Sequence, residues 1–133
     1  MARPPAKELT DLELEVMQVF WAQGDLTVAD AQKALETAGL KRAYTTVGTL
    51  VRLLADKGFL QQVNDERPFI FRPLRSYEDV SGKLLKGLLQ KVFHGSWKHM
   101  LVRLVEEETL SAKDRAALEA LLKERRENKE GRK

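Results

Sequence analysis

Residues 44–73 constrain the fold more than any other stretch of the chain. Val47, Leu50, Val51 and Leu54 recur at i, i+3, i+4 and i+7, which puts four apolar side chains on one stripe of a helix. Gly58 follows Lys57 and stops that helix. The pattern then becomes strand-like. Residues 59–63 and 69–73 are rich in Phe, Ile, Val and Leu, and the turn-forming Asn64-Asp65-Glu66-Arg67-Pro68 lies between them. This predicts a β-hairpin. Phe69 and Phe71 should point to one face, and Ile70 and Arg72 to the other. Pro68 and Pro73 bracket the second strand and should restrict it to a short edge strand.

Two further helices precede this block. In Thr10-Asp11-Leu12-Glu13 the Thr hydroxyl can accept an orphan N–H while the Glu reaches back, forming a capping box. Leu9 and Leu14 sit where a hydrophobic staple would close. Leu12, Val16, Val19 and Phe20 form the expected apolar line, which should run to about Ala22 and end at Gly24. Thr27-Val28-Ala29-Asp30 starts the second helix in the same way, with Ala31, Leu35 and Ala38 as its apolar line and Gly39 just past its end. Three helices followed by a hairpin is the winged helix-turn-helix arrangement. Its third helix enters the DNA major groove and its hairpin, the wing, flanks it, here with Arg67 near the tip.

Charge placement supports that expectation. The whole chain carries only +3, too little to indicate nucleic acid. Residues 41–75, however, hold seven Lys/Arg against three Asp/Glu, a local +4, whereas residues 1–40 sum to −4 and residues 76–133 to +3. A local basic surface attracts a phosphate backbone, although ordinary solvated surface charge has the same composition. The face of the third helix opposite its stripe carries Thr45, Gly48, Thr49, Arg52 and Asp56, where a merely solubilising face is usually Glu/Lys-rich. Small residues permit close approach, and Thr and Arg can contact phosphates and base edges. Tyr44 lies at the N-terminal end, where the helix dipole favours phosphate.

After Arg75 the pattern is helical only. One helix starts at Ser76 or Tyr77 and runs along Val80, Leu84, Leu85, Leu88, Leu89 and Val92 until His94-Gly95-Ser96 breaks it. Trp97, Leu101, Leu104 and Val105 form a second stripe. A third helix opens at Leu110-Ser111-Ala112-Lys113-Asp114, with Leu118, Leu121 and Leu122 as its apolar residues. The charged end, residues 124–133, should fray. Three short helices with wide apolar stripes have little mutual core. Burial against a second copy is the economical solution, with packing on the chain's own winged domain as the alternative. The expected organisation is a winged-helix DNA-binding domain over residues 1–75, a helical dimerisation region over 76–123 and the tail. The interface residues would be Leu84, Leu88, Val92, Trp97, Leu101, Leu104, Leu118, Leu121 and Leu122. A dimer would present two recognition helices to a two-fold DNA site.

Other chemistries find little support. The absence of Cys excludes disulfides, thiolate metal sites and a cysteine nucleophile. His94 and His99 point about 140° apart if placed on one helix, so they cannot chelate from one face. Glu106-Glu107-Glu108 reads as a solvated helix end. Ser96 lacks a nucleophile elbow. No phosphate-cradling glycine loop is present, and Trp21 and Trp97 read as core and interface anchors. The expectation is therefore a protein that is not an enzyme, with no cofactor and no metal. No apolar run reaches the roughly 18 residues of a spanning helix, and residues 1–5 contain no apolar signal core, so a cytoplasmic location without membrane insertion is expected.

At this point an ordered set of motifs resembles the BlaI/MecI family of penicillinase-type repressors. The string Leu9-Thr10-Asp11-Leu12-Glu13-Leu14-Glu15-Val16-Met17-Gln18-Val19-Phe20-Trp21 looks like that family's first helix. Tyr44-Thr45-Thr46-Val47-Gly48-Thr49-Leu50-Val51-Arg52-Leu53 with Lys57-Gly58-Phe59-Leu60 resembles its recognition helix and first wing strand, and Phe71-Arg72-Pro73-Leu74 its second. Lys91-Val92-Phe93-His94-Gly95-Ser96, Leu101-Val102-Arg103-Leu104-Val105-Glu106 and Leu110-Ser111 continue the likeness, which spans roughly residues 8–123. The resemblance implies a homodimeric repressor on a palindromic double-stranded operator, contacted by Thr45, Thr46, Thr49 and Arg52 with Tyr44 beside them; Arg42 of the basic segment and Arg67 at the wing tip complete the expected DNA contacts. Thr46 borders the stripe and could equally be a packing residue. The resemblance further implies β-lactam-responsive release through a sensor metalloprotease. The family's scissile Asn-Phe pair falls on Arg103-Leu104, and both residues differ here. A copper-responsive branch carries C-terminal cysteines, which this chain lacks. The alternative function is a winged-helix module whose third helix binds a protein and which has no operator of its own.

Overall fold

The structure, a computed structural model, describes residues 8–107 and 110–131, with side chains described as far as residue 128. Its elements run α1 (Asp11–Gln23), β1 (Leu26–Thr27), α2 (Val28–Thr37), α3 (Tyr44–Asp56), β2 (Leu60–Gln62), β3 (Ile70–Pro73), α4 (Tyr77–Phe93), α5 (Trp97–Glu106) and α6 (Ala112–Gly131). The fold is mainly helical, with a small antiparallel sheet and the winged-helix order of elements. The chain divides into two compact units, one through Lys83 and one from Leu84.

In the first unit, both expected capping boxes are formed. Thr10 accepts from the Glu13 N–H and donates its own N–H to the Glu13 carboxylate, and Thr27 and Asp30 do the same for α2. Gly24, Gly39 and Gly58 follow the three helices with positive φ, which L side chains rarely adopt. Val47, Leu50, Val51 and Leu54 are all buried, and they meet Val16, Met17 and Phe20 of α1 and Ala31 and Leu35 of α2. Leu26, Phe59, Leu60, Phe71 and Val80 close the same core.

Two apolar lines differ from expectation. Leu12 is exposed, and Glu13 and Met17 are buried, because α1 turns its 13-16-17-20 face inward. Ala38 is exposed as the C-cap of α2.

The sheet corrects the hairpin. Its order is β1-β3-β2, so β3 is the central strand and not an edge strand. β1 pairs only Leu26 with Phe71 and Thr27 with Ile70, whereas β2 pairs Leu60 with Pro73, Gln61 with Arg72 and Gln62 with Phe71. Pro73 is tolerated because it sits at the strand's end, beyond the reach of β1. The Val63 N–H to Ile70 O and Leu74 N–H to Phe59 O bonds extend the hairpin at both ends.

The first unit also takes in more of the chain than residues 1–75. Trp21 donates to the Arg75 carbonyl at 2.8 Å and packs edge-on against Tyr77 at 5.4 Å, and Val80 is buried in the core. The first turn of α4 therefore belongs with the winged domain.

In the second unit His94 (φ 51) and Gly95 (φ 84) turn the chain, and Ser96 caps α5 by accepting from the His99 N–H. Ser111 and Asp114 form a reciprocal cap at the start of α6. α6 then continues to Gly131, well past residue 123, through a segment with opposite charges four residues apart, such as Glu119 with Lys123 and Lys123 with Glu127. Glu108 lies outside the described residues. The apolar side chains of this unit stay open in the single chain. Trp97 is 63% exposed, while Leu84, Leu88, Val92, Leu104, Leu121 and Leu122 are all exposed and Leu101 and Leu118 are half-buried. Among the described residues no helix is long and apolar enough to cross a membrane.

Candidate nucleic-acid interface

α3 is packed by one face only, so its chemistry is set by what remains outside. Thr45, Thr46, Thr49 and Arg52 are exposed, as is Tyr44 at its N-terminal end. Thr46, left open between contact and packing, is thus on the surface. On the helix circumference Tyr44, Gly48 and Arg52 form a line at i, i+4 and i+8, with Thr45, Thr49 and Asp56 on the outermost side. The N-cap of α3 is Ala43, which offers no side-chain acceptor, unlike Thr10 and Thr27 on α1 and α2.

The wing stands beside this face. An open groove of about 680 Å3 runs between α3, the start of α2 and the hairpin. Tyr44, Gly48, Arg52 and Asp56 line it from α3, Thr27, Val28 and Ala29 from the start of α2, and Gln62, Arg67, Pro68 and Phe69 from the wing. Three of the expected site residues, Tyr44, Arg52 and Arg67, therefore share one groove although Arg67 is far from the other two in sequence. The Arg67 guanidinium lies over the Phe69 ring, 5.4 Å from its centroid, which aims a long side chain that has no hydrogen-bond partner among the described residues.

Asn64 organises the wing loop. It donates to the Glu66 and Pro68 carbonyls and accepts from the Ile70 N–H at 2.8 Å. Only its turn-forming tendency was readable in the sequence. Arg72 forks onto Asp25, with Nε and Nη2 contacts of 3.0 and 2.8 Å, and ties β3 to the turn after α1. The hydrogen bond from Arg72 holds the Asp25 carboxyl below its usual range despite some desolvation, and the same bond raises the Arg72 guanidinium.

Arg42 is placed differently from the other expected contacts. Its Nε and Nη2 donate to Glu15 of α1 at 3.2 and 3.0 Å, and its carbonyl accepts from Gln32 of α2 at 3.1 Å. Neither partner was signalled by spacing, since Glu15 lies 27 positions away and Gln32 10, both beyond one helix turn.

The opposite end of α3 is held by a buried pair. Lys57 Nζ donates to Glu13 Oε1 at 2.7 Å, and Glu13 is 1% exposed. Burial pushes the Glu13 carboxyl up, but the Lys57 hydrogen bond, the two bonds with Thr10 and the Lys57 charge together bring it below its ordinary value. The capping pattern identified Glu13, but its burial was legible only in three dimensions.

In the second unit, Arg103 and Leu104 lie inside α5, and Arg103 pairs with Glu107 one turn on at 2.8 Å. His94 sits in the turn and His99 on α5, edge-on to Phe93 at 6.0 Å. Among the described residues, no three His, Cys, Asp or Glu side chains gather as a metal site.

Residues 9–124 match the family model described as penicillinase repressor. The transcriptional regulator BlaI of Mycobacterium tuberculosis is 35% identical over 100 residues, covering 74% of this chain and 72% of that one. The methicillin resistance regulatory protein MecI of Mammaliicoccus sciuri is 29% identical over 106 residues, covering 78% and 84%. The penicillinase repressor of Bacillus licheniformis is 25% identical over 122 residues, covering 92% and 94%.

Proposed function

Since the chain belongs to the penicillinase repressor family of transcriptional repressors, which are not enzymes, we propose that it acts as a homodimer on a palindromic operator. The single observation that supports this most strongly is the exposed Thr/Arg face of α3 beside a wing that brings Arg67 to the same groove. Thr45, Thr46 and Thr49 read base edges and sugar–phosphate, and Arg52 and Arg67 supply the cations. Tyr44 and the uncapped N-terminus of α3 receive a phosphate, which the helix dipole favours. The exposed leucines of α4 and α6 and Trp97 and Leu104 of α5 form the two-fold interface, because their burial in a second copy removes apolar surface from water. Release by a sensor metalloprotease requires α5 to unwind locally, since Arg103 and Leu104 are inside that helix.

The test is selection of bound duplexes from a random library, followed by a salt titration on the recovered sequence. About six phosphate contacts give log K against log salt a slope of about −5. A recovered palindrome with that steepness supports the proposal. A flat titration, or equal affinity for the recovered and scrambled duplexes, favours a protein-binding module instead. Arg52→Ala should weaken DNA binding and leave the sedimentation coefficient of the dimer unchanged.

A further inference from the structure

The DNA-binding proposal leaves Arg42 unexplained, because its side chain turns inward onto the protein. The fork of its guanidinium is occupied: Nε and Nη2 both point at the Glu15 carboxylate of α1. Its carbonyl is held from α2 by the Gln32 amide. One residue is thus fixed through side chain and backbone by the two helices on which α3 packs. It stands directly before Ala43, the N-cap of α3, which brings no capping side chain of its own. The Leu40 N–H closes α2 on the Leu35 carbonyl, and the Val47 N–H opens α3 on the Ala43 carbonyl. Between those two bonds, the Glu15–Arg42–Gln32 link crosses the α2–α3 turn. A bidentate Arg–carboxylate pair fixes orientation as well as distance, which a single ammonium does not. The first turn of α3 sets the direction of Thr45, Thr46 and Thr49, so the link sets how those side chains meet a duplex.

We propose that Arg42 is a positioning residue, a strut that joins Glu15 and Gln32 to the start of α3, and not a phosphate contact. This rests on the proposal that α3 binds DNA. The two roles predict opposite results on the duplex recovered by selection. As a strut, Arg42→Gln weakens binding about fivefold, and the salt slope stays at the wild-type value because no phosphate contact is lost. Glu15→Gln also weakens binding, since the fork loses its acceptor charge. Arg42→Lys keeps the charge and still weakens binding, because an ammonium cannot span both acceptor positions.

As a phosphate contact, Arg42→Gln flattens the slope by about 1.8 for two copies on a two-fold site, and Glu15→Gln tightens binding by releasing the cation. That pair of results overturns the proposal, as does wild-type affinity in all three variants. Amide exchange at Val47, whose N–H makes the first α3 bond to the Ala43 carbonyl, reports the strut directly, and faster exchange in Glu15→Gln is expected with the core of α1 unchanged. Unaltered exchange there also overturns the proposal. A wild-type protein with no salt slope overturns the DNA-binding proposal itself and is told apart by needing no variant.

Discussion

Leu54 and Leu88 are both leucines on an amphipathic helix, yet Leu54 is fully buried and Leu88 is 45% exposed. The contrast extends to the units that hold them. Through Lys83, three helices, two of them with capping boxes, and a three-stranded sheet close one core, from Val16 on α1 to Val80 on α4. From Leu84 onward, helices are capped as well, by one bond at Ser96 and a reciprocal pair at Ser111, but α5 has no buried residue, and the leucines of α4 and α6 beyond the boundary are half-buried or exposed. Local signals therefore form helices in both units, and only the first supplies enough surrounding layers to cover them. The second is the half left with open apolar surface, on which the proposed dimer rests, and the first is the half that can carry a site of fixed shape.

The largest expected effect breaks the second unit and spares the first. In the proposed dimer, Leu88→Asp places a charge on the paired stripe of α4, so sedimentation should fall to the monomer value. Loss of one linked half-site should lower affinity for a two-half-site duplex by roughly 10²–10⁴. Amide protection in α1 and α3 should stay at the wild-type level. An unchanged sedimentation coefficient would remove α4 from the proposed interface.

The next effect strikes the first unit alone. Lys57→Met leaves the Glu13 carboxylate buried with only its bonds to Thr10, which should cost about 3 kcal/mol, read as lower denaturant midpoints for α1 and α3. Glu13→Gln/Lys57→Met should recover most of that loss, because replacing both partners removes the unpaired charge. The pair also gives a pH dependence. Glu13 is held below its unfolded value, so its stabilisation is fully present above the ordinary glutamate range near ~4.3 and is lost as the pH falls through the lower, folded value. The double variant should lose this part of the acid sensitivity. If it denatures in acid exactly as the wild type does, the pair is not the source.

The contrast between the units also explains what could be read in advance. Both capping boxes, the α3 stripe and the glycine stops depend on residues within a few positions of one another, and all were legible. Glu13 was legible as a cap but not as a buried charge, because Lys57 reaches it from 44 positions away. β1 was missed because two residues carry no periodicity, and its absence made β3 look like an edge. At the site, Thr45, Thr49 and Arg52 followed from helical spacing. The approach of Arg67 to Tyr44 and Arg52, and the capture of Arg42 by Glu15, depend on how elements pack and leave no mark on local sequence.

The smallest effect tests where the rigid unit and its ligand surface meet. Gly48 sits in mid-α3, on the groove, and a Cβ built there would lie 3.8 Å from Val28 Cγ1, an ordinary van der Waals distance. Gly48→Ala therefore meets no steric obstacle and restricts the unfolded chain, which should raise stability by about 0.5–1 kcal/mol and the melting temperature by roughly 4 °C. A methyl at this position narrows the groove between α3 and the wing but leaves the outer Thr45/Thr49 side untouched. If DNA is met mainly by that outer side, the variant should be more stable with unchanged affinity. If the duplex backbone enters the groove beside Tyr44 and Arg67, stability should rise while affinity falls. In that case the glycine is kept for close approach, at a cost to the helix that carries it.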